Sequence, residues 1–190
     1  MSSRKKMIFA VSAFAMIVLA SVVTLVSVLA ATSVKVDNTI TVKYTVTDVI
    51  CDVEVYVVKV KTNDTSITWG TAKGTHNFTH DTATEQKTFA LGSDFTLLKD
   101  ECVLIKFVFN NNGDLAFKAT LSTPKGGTNM AIAYAATASK PADIASSSFA
   151  AVSVDSGASA SSTYYAKISI SDVTKNATIE TSFVWNLAKG

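Results

Sequence analysis

Apolar and polar residues alternate with period two along most of the chain after residue 33, and that period predicts strands. Between Val34 and Val46, Ile40, Val42, Tyr44 and Val46 fall on one face, and Thr39, Thr41, Lys43 and Thr45 on the other. At Thr47-Asp48 the phase slips, and Val49, Cys51, Val53, Val55 and Val57 then share a face opposite Asp52 and Glu54. A one-residue slip moves every side chain to the other face, so the chain is expected to bulge or turn there and pass from one sheet to another.

Thr62-Asn63-Asp64 reads as a turn, Ser66 to Trp69 as a short strand and residues 70–84 as a polar loop. Gln86 to Leu91 reads as a strand, and residues 95–100 fit either a strand or one helical turn. Cys102 to Phe109 is apolar on both faces apart from Lys106, which predicts a central strand. Asn110 to Asp114 holds residues that tolerate positive φ, and Leu115, Phe117, Ala119 and Leu121 then alternate strictly. That combination predicts a hairpin. Pro124 to Gly127 reads as a turn, and Met130, Ile132 and Tyr134 mark a further strand. Residues 137–148 read as a loop, Phe149 to Val154 as a short strand and DSGASASS (155–162) as a surface loop. Tyr164, Ala166, Ile168 and Ile170 share one strand face. After a turn at 172–177, Ile179, Thr181, Phe183, Trp185 and Leu187 form a long closing strand, with Trp185 pointing inward. About nine or ten strands without an amphipathic helix predict an all-β fold, an antiparallel β-sandwich of jelly-roll or Ig-like type. Residues 32–190 are expected to form one domain without internal repeats.

Residues 7–30 carry no charge and follow Arg4, Lys5 and Lys6, the order of an export signal. A cut after Ala30, leaving Ala31 first, suits the small residues at the end of the run; a cut after Ala20 is a weaker alternative. As a helix the run spans about 36 Å, enough for the roughly 30 Å hydrocarbon core. It therefore also suits an uncleaved anchor with a cytoplasmic N-terminus. Either outcome places residues 32–190 outside the cytoplasmic membrane, at the cell surface or in the extracellular space, with membrane contact through residues 7–30 at least before processing.

Residues 1–31 hold three of the 17 basic residues and none of the 15 acidic ones, so the remainder carries a net charge near −1. Arg4 is the only arginine. Without a basic surface or a bidentate guanidinium, nucleic-acid binding and phosphate chemistry are not expected. The two cysteines, Cys51 and Cys102, lie in the exported part, where a disulfide between them would persist. Two buried thiols are the alternative. His76 and His80 are the only histidines, with Asp81 adjacent; they fall in a polar loop-like stretch with no third histidine and no His-Glu-x-x-His sequence, so no metal site is expected. No Gly-x-Ser-x-Gly turn, paired acids or calcium loop occurs, and the chain is expected to be neither an enzyme nor a cofactor carrier. Trp69, beside a loop, is the better candidate for an exposed aromatic. Asn63, Asn77 and Asn176 each open an N-glycosylation pattern and are read as lying in turns or loops.

The basic start and long apolar signal, the strand directly after it, the segment FVFNNNGDLAFKATLS (107–122) and a compact β-domain ending in a strand together resemble the TasA/camelysin class of bacterial surface and matrix-fibre proteins. The phrases ITVKYTVTDV (40–49) and ISISDVTKNATIETSFVWNL (168–187) also resemble small exported proteins of gut Firmicutes and their relatives. The TasA/camelysin resemblance implies a jelly-roll domain, export through a dedicated signal peptidase and assembly into extracellular fibres. Camelysin members are described as metalloproteases, and the ligands for that activity are missing here. In the fibre reading, cleavage frees residues 32–46 as a strand donated to the open edge of the next subunit. Ile40, Val42, Tyr44 and Val46 would enter the neighbour's core, giving a self-associating polymer. The same strand pairing within its own domain is the alternative. A second functional class is a membrane-anchored monomeric module whose loops, 70–84 or 137–148, bind a glycan or a protein.

Overall fold

The computed structural model describes residues 34–44, 49–78, 85–90, 95–125, 129–157, 159–170 and 177–190. Eleven strands follow in order: β1 (Val34–Tyr44), β2 (Cys51–Lys61), β3 (Gly74–Phe78), β4 (Glu85–Ala90), β5 (Phe95–Leu97), β6 (Glu101–Asn111), β7 (Phe117–Lys125), β8 (Met130–Ala135), β9 (Val152–Val154), β10 (Ser161–Ile170) and β11 (Ala177–Lys189). One 3-10 turn, Pro141–Asp143, interrupts the connection from β8 to β9.

The strands form a six-stranded sheet, ordered β4-β1-β11-β7-β9, and a five-stranded sheet, ordered β3-β2-β6-β10-β8. In the first, β5 extends the β4 edge by pairing with Val34–Val36 of β1. One apolar cluster draws on both sheets, which makes the fold a β-sandwich. The alternation read from the sequence matches the burial. Val53, Val55 and Val57 face inward on β2; Tyr164, Ala166, Ile168 and Ile170 on β10; and Phe183, Trp185 and Leu187 on β11. The slip at Thr47-Asp48 separates strands of different sheets, since β1 belongs to the six-stranded sheet and β2 to the five-stranded one. β6 lies in the middle of its sheet, as its apolar sequence predicts.

Trp185 sits at the centre of the core. Its ring makes edge contacts with Phe107 and Phe109 of the opposite sheet, both at 4.9 Å, and with Phe149 at 5.1 Å. Its Nε1–H finds no oxygen or nitrogen acceptor. Burying an aromatic of this size contributes about 4–6 kcal/mol, which outweighs the roughly 1–3 kcal/mol cost of one unmade hydrogen bond.

Several expectations are corrected. Ser66 to Trp69 is loop, and residues 74–78 form edge strand β3, where the sequence reads as loop. Residues 95–97 settle as strand β5. β7 runs through Pro124 to Lys125; the proline falls where β7 has one residue more than β11, between the Lys125–Ser182 and Ser122–Val184 pairs. A residue without an N–H is tolerated at such an irregularity. β1 runs parallel to β11 in an otherwise antiparallel architecture, pairing from Val34–Ala177 to Tyr44–Leu187.

The 110–114 hairpin is also corrected. β6 pairs with β2 and β10, while β7 pairs with β11 and β9, so this connection crosses between the sheets. None of its residues has positive φ; among described residues that backbone region is used by Asn129, Gly157 and Ser159. What holds the corner is Asn111, a fully buried polar side chain. Its Nδ2 donates to the carbonyls of Leu115 (2.8 Å) and Asp155 (2.7 Å), and its Oδ1 accepts from the Gly113 N–H (2.9 Å). The amide thus ties the β6–β7 crossing to the loop before β10. Asn111→Ala strands all three partners, and a loss of about 2–4 kcal/mol is expected in urea unfolding. Asn111→Asp is expected to cost at least as much at pH 7, because a carboxylate then faces two carbonyl oxygens. A change under about 0.5 kcal/mol in Asn111→Ala would show that the corner stands without the amide.

Candidate functional site

Ala30, Ala31, Val46, His80 and Asn176 lie outside the described residues. Ile40 is fully buried in the inter-sheet core. β1, which carries Ile40, Val42 and Tyr44, is paired on both sides: along its whole length with β11, and with β4 and β5 on its other edge. His76 lies on β3 opposite Val53. Asn63 is exposed in the loop after β2; Asn77 is exposed on edge strand β3 and not in a loop, a correction to its expected setting.

The disulfide is corrected as well. No bond joins Cys51 and Cys102. Cys51 opens β2, and Cys102 is opposite Val60 at the other end of the same strand pair. At about 3.4 Å per residue they stand about 30 Å apart, against the roughly 7 Å limit for bridged Cα atoms. They also face opposite sides of the sheet, Cys51 in the inter-sheet core and Cys102 in a second cluster on the outer face. Burial pushes the Cys102 thiol up to about 11.

That second cluster organises the outer face of the five-stranded sheet. Cys102 and Leu104 of β6 are fully buried there beneath Ile144, with Val58, Val60, Ile67, Trp69, Ala138 and Tyr165 packed around them. The cover comes from the loop 62–73 and from the connection around the 3-10 turn. These are tied together by the Ile67 N–H donating to the Ser139 carbonyl (3.0 Å). Lys167 Nζ fastens the same connection to β10 by donating to the Pro141 carbonyl (3.0 Å).

At the rim of this cover, three register partners form a row across β2, β6 and β10: Tyr56, Lys106 and Tyr165. Lys106 Nζ lies 3.7 Å from the centroid of Tyr56 and 5.3 Å from that of Trp69. The Trp69 and Tyr165 rings are 5.9 Å apart, tilted by 37°. The Tyr56 hydroxyl donates to Glu54 Oε2 (2.7 Å), which raises its pKa, and burial lowers that of Lys106. Rings and cation therefore hold one another in place.

Beside Tyr165 lies a shallow, largely open cleft of about 710 Å³, lined by Ala136, Thr137, Ala138, Ser139, Asp143 and Thr163. Asp143 Oδ2 accepts from the Ser139 N–H (2.8 Å), the Ser139 hydroxyl (2.9 Å) and the Lys140 N–H (3.0 Å). The Ser139 and Lys140 amide hydrogen bonds are the main reason its carboxyl lies below the usual range. Its Oδ1 takes no part in that turn. Sequence reading singled out Trp69 and the 137–148 loop separately; it missed Tyr56, Lys106, Thr163 and Tyr165. The one signal for them was Lys106 interrupting an apolar run.

No group of three or more metal-ligating side chains occurs among the described residues. No helix among them is long and apolar enough to cross a membrane; residues 7–30 are not among them. No protein-family model and no curated protein matches this chain.

Two outcomes follow. A maleimide reagent should spare the folded chain and add two labels on unfolding, with no mass deficit of two hydrogens; labelling of both thiols in the folded state, or the deficit, contradicts the buried, unbridged geometry. The Asp143 contribution to the 139–143 turn is present above its unfolded pKa of about 3.9 and is lost as pH falls through the lower folded value. Exchange protection of the Ser139 and Lys140 amides should therefore fall in acid below pH about 4, and Asp143→Asn should abolish that step. A step that survives in Asp143→Asn assigns it to another group.

Proposed function

We propose that residues 32–190 form an exported structural subunit that self-associates by exchanging β1 between neighbouring chains, building an extracellular fibre or surface layer. The observation that carries the reading is the setting of β1. It is the first strand after the apolar segment, it runs parallel to β11, and it closes a slot with β11 on one side and β4 and β5 on the other. In the single chain β1 fills its own slot. A neighbour's β1 would make the same backbone ladders and bury the same Ile40, so exchange gives up no contact. Donation from head to tail does not close, and the product is a filament. The resemblance to TasA/camelysin proteins and their jelly-roll domain supports the reading, as does the export signal. Residues 7–30 hold the chain at the membrane until processing. The subunit has no catalytic role in this reading.

The register supplies the test. Thr41 and Val184 are Cα partners on β1 and β11. Neighbouring strands lie about 4.8 Å apart, within disulfide reach. The double variant Thr41→Cys, Val184→Cys, exported and oxidised, is expected to give ladders of covalent multimers that collapse to monomer in reductant. Oxidised monomer alone would mean that β1 stays in its own chain and would overturn the proposal.

A further inference from the structure

We propose that the rim where Trp69 and Tyr165 meet the cleft of Ser139, Asp143 and Thr163 is a saccharide-binding site that takes the C–H face of a pyranose ring. This inference is independent of strand exchange, because the site lies on the five-stranded sheet and β1 belongs to the other.

Three observations point to a sugar. First, the two rings lie side by side, 5.9 Å apart and tilted by 37°, and both are only partly buried. A pyranose presents a flat patch of C–H bonds that packs on such rings much as apolar groups do, while its hydroxyls point outward around the rim. Second, the adjoining cleft is lined by the short hydroxyls of Thr137, Ser139 and Thr163 and by the Asp143 carboxylate. Asp143 keeps Oδ1 outside the turn that engages Oδ2. Hydroxyls and one carboxylate beside aromatic rings match a polyol; an extended peptide would call for apolar pockets. Third, the platform is held in advance. Lys106 lies against both Tyr56 and Trp69, and the Ile67–Ser139 backbone bond fixes the loop that carries Trp69. Little ordering cost then remains for binding.

Sealing Cys102 and Leu104 accounts for the inner edge of Trp69. It does not account for Tyr56, which lies outside that cluster, nor for the polar lining beyond Tyr165.

Trp69 and Trp185 are the only tryptophans, and Trp185 is fully buried, so emission reports on the site. The chain is purified from producing cells without glycoside detergents and titrated with cellotetraose, chitotetraose and maltotetraose. At least one is expected to give a saturable change in emission. Trp69→Phe should leave the remaining Trp185 emission unchanged on titration. By calorimetry, Trp69→Ala should bind about tenfold more weakly, the loss of one ring contact. Thr163→Val, which keeps a β-branched side chain and removes the hydroxyl, should bind several-fold more weakly with an unaltered melting temperature. The proposal is overturned if none of the three sugars gives a saturable change, or if the change persists in Trp69→Phe. It is equally overturned if Thr163→Val binds as tightly as the native chain, or if only a proline-rich peptide elicits the response.

Discussion

The contact between Trp185 and the rings of Phe107 and Phe109 joins the two sheets, and most of the architecture can be read as serving it. Phe149 and Tyr164 complete the cluster, the Tyr164 hydroxyl accepting from the Ala150 N–H at 3.1 Å. Large rings placed at the centre of an inter-sheet layer roughly 10 Å thick leave little freedom in how the sheets stack. They also require strands from both sheets to deliver inward side chains at matching heights. The chain meets that requirement by crossing between the sheets at nearly every connection; only β2–β3 and β4–β5 remain within one sheet. Each crossing leaves backbone groups that no ladder satisfies, and Asn111 meets that need at one corner with three hydrogen bonds from one buried amide.

The outer faces obey a different constraint. A central strand apolar on both sides needs cover on both sides, and β6 has Cys102 and Leu104 pointing away from the main core. The loop 62–73 and the connection around Pro141 supply that cover, which explains why two stretches without strand structure are so well tied down. Cover that ends partway along a sheet must have a rim. Here the rim is built of Tyr56, Lys106, Trp69 and Tyr165, side chains with both an apolar surface and a polar group, suited to a boundary between packed and wetted surface.

Period two made much of this legible beforehand. The faces of β2, β10 and β11, the inward Trp185 and the change of sheet after β1 all follow from which residues alternate with which. Pairing was not legible, because alternation says which face is buried and nothing about which strand lies alongside. Asn110 to Asp114 has turn chemistry, yet a turn can fold a strand back on its neighbour or carry it across the sandwich, and the buried Asn111 decides for crossing. The parallel β1–β11 ladder joins the two ends of the described chain, a separation no local signal spans. The cysteine pairing failed for the same reason: their opposite faces and opposite ends of β2–β6 needed the register. The site was half legible. Trp69 and the 137–148 loop stood out separately, while the row that joins them exists only once β2, β6 and β10 are side by side.

Residues 45–50 link Tyr44 in one sheet to Cys51 in the other. Six residues reach at most about 20 Å, and stacked sheets are about 10 Å apart. Such a link is long enough for β1 to occupy its own slot, and contacts alone do not favour a neighbour's. In the strand-exchange reading the balance must then come from concentration. A chain held to a membrane by residues 7–30 is confined near a surface with its copies, and confinement raises the effective concentration of each β1 for the next slot. Release after assembly would leave a polymer whose ladders are those of the single chain. In that reading the apolar segment and the strand that follows it would form one device, the first setting how often neighbours meet and the second what they exchange.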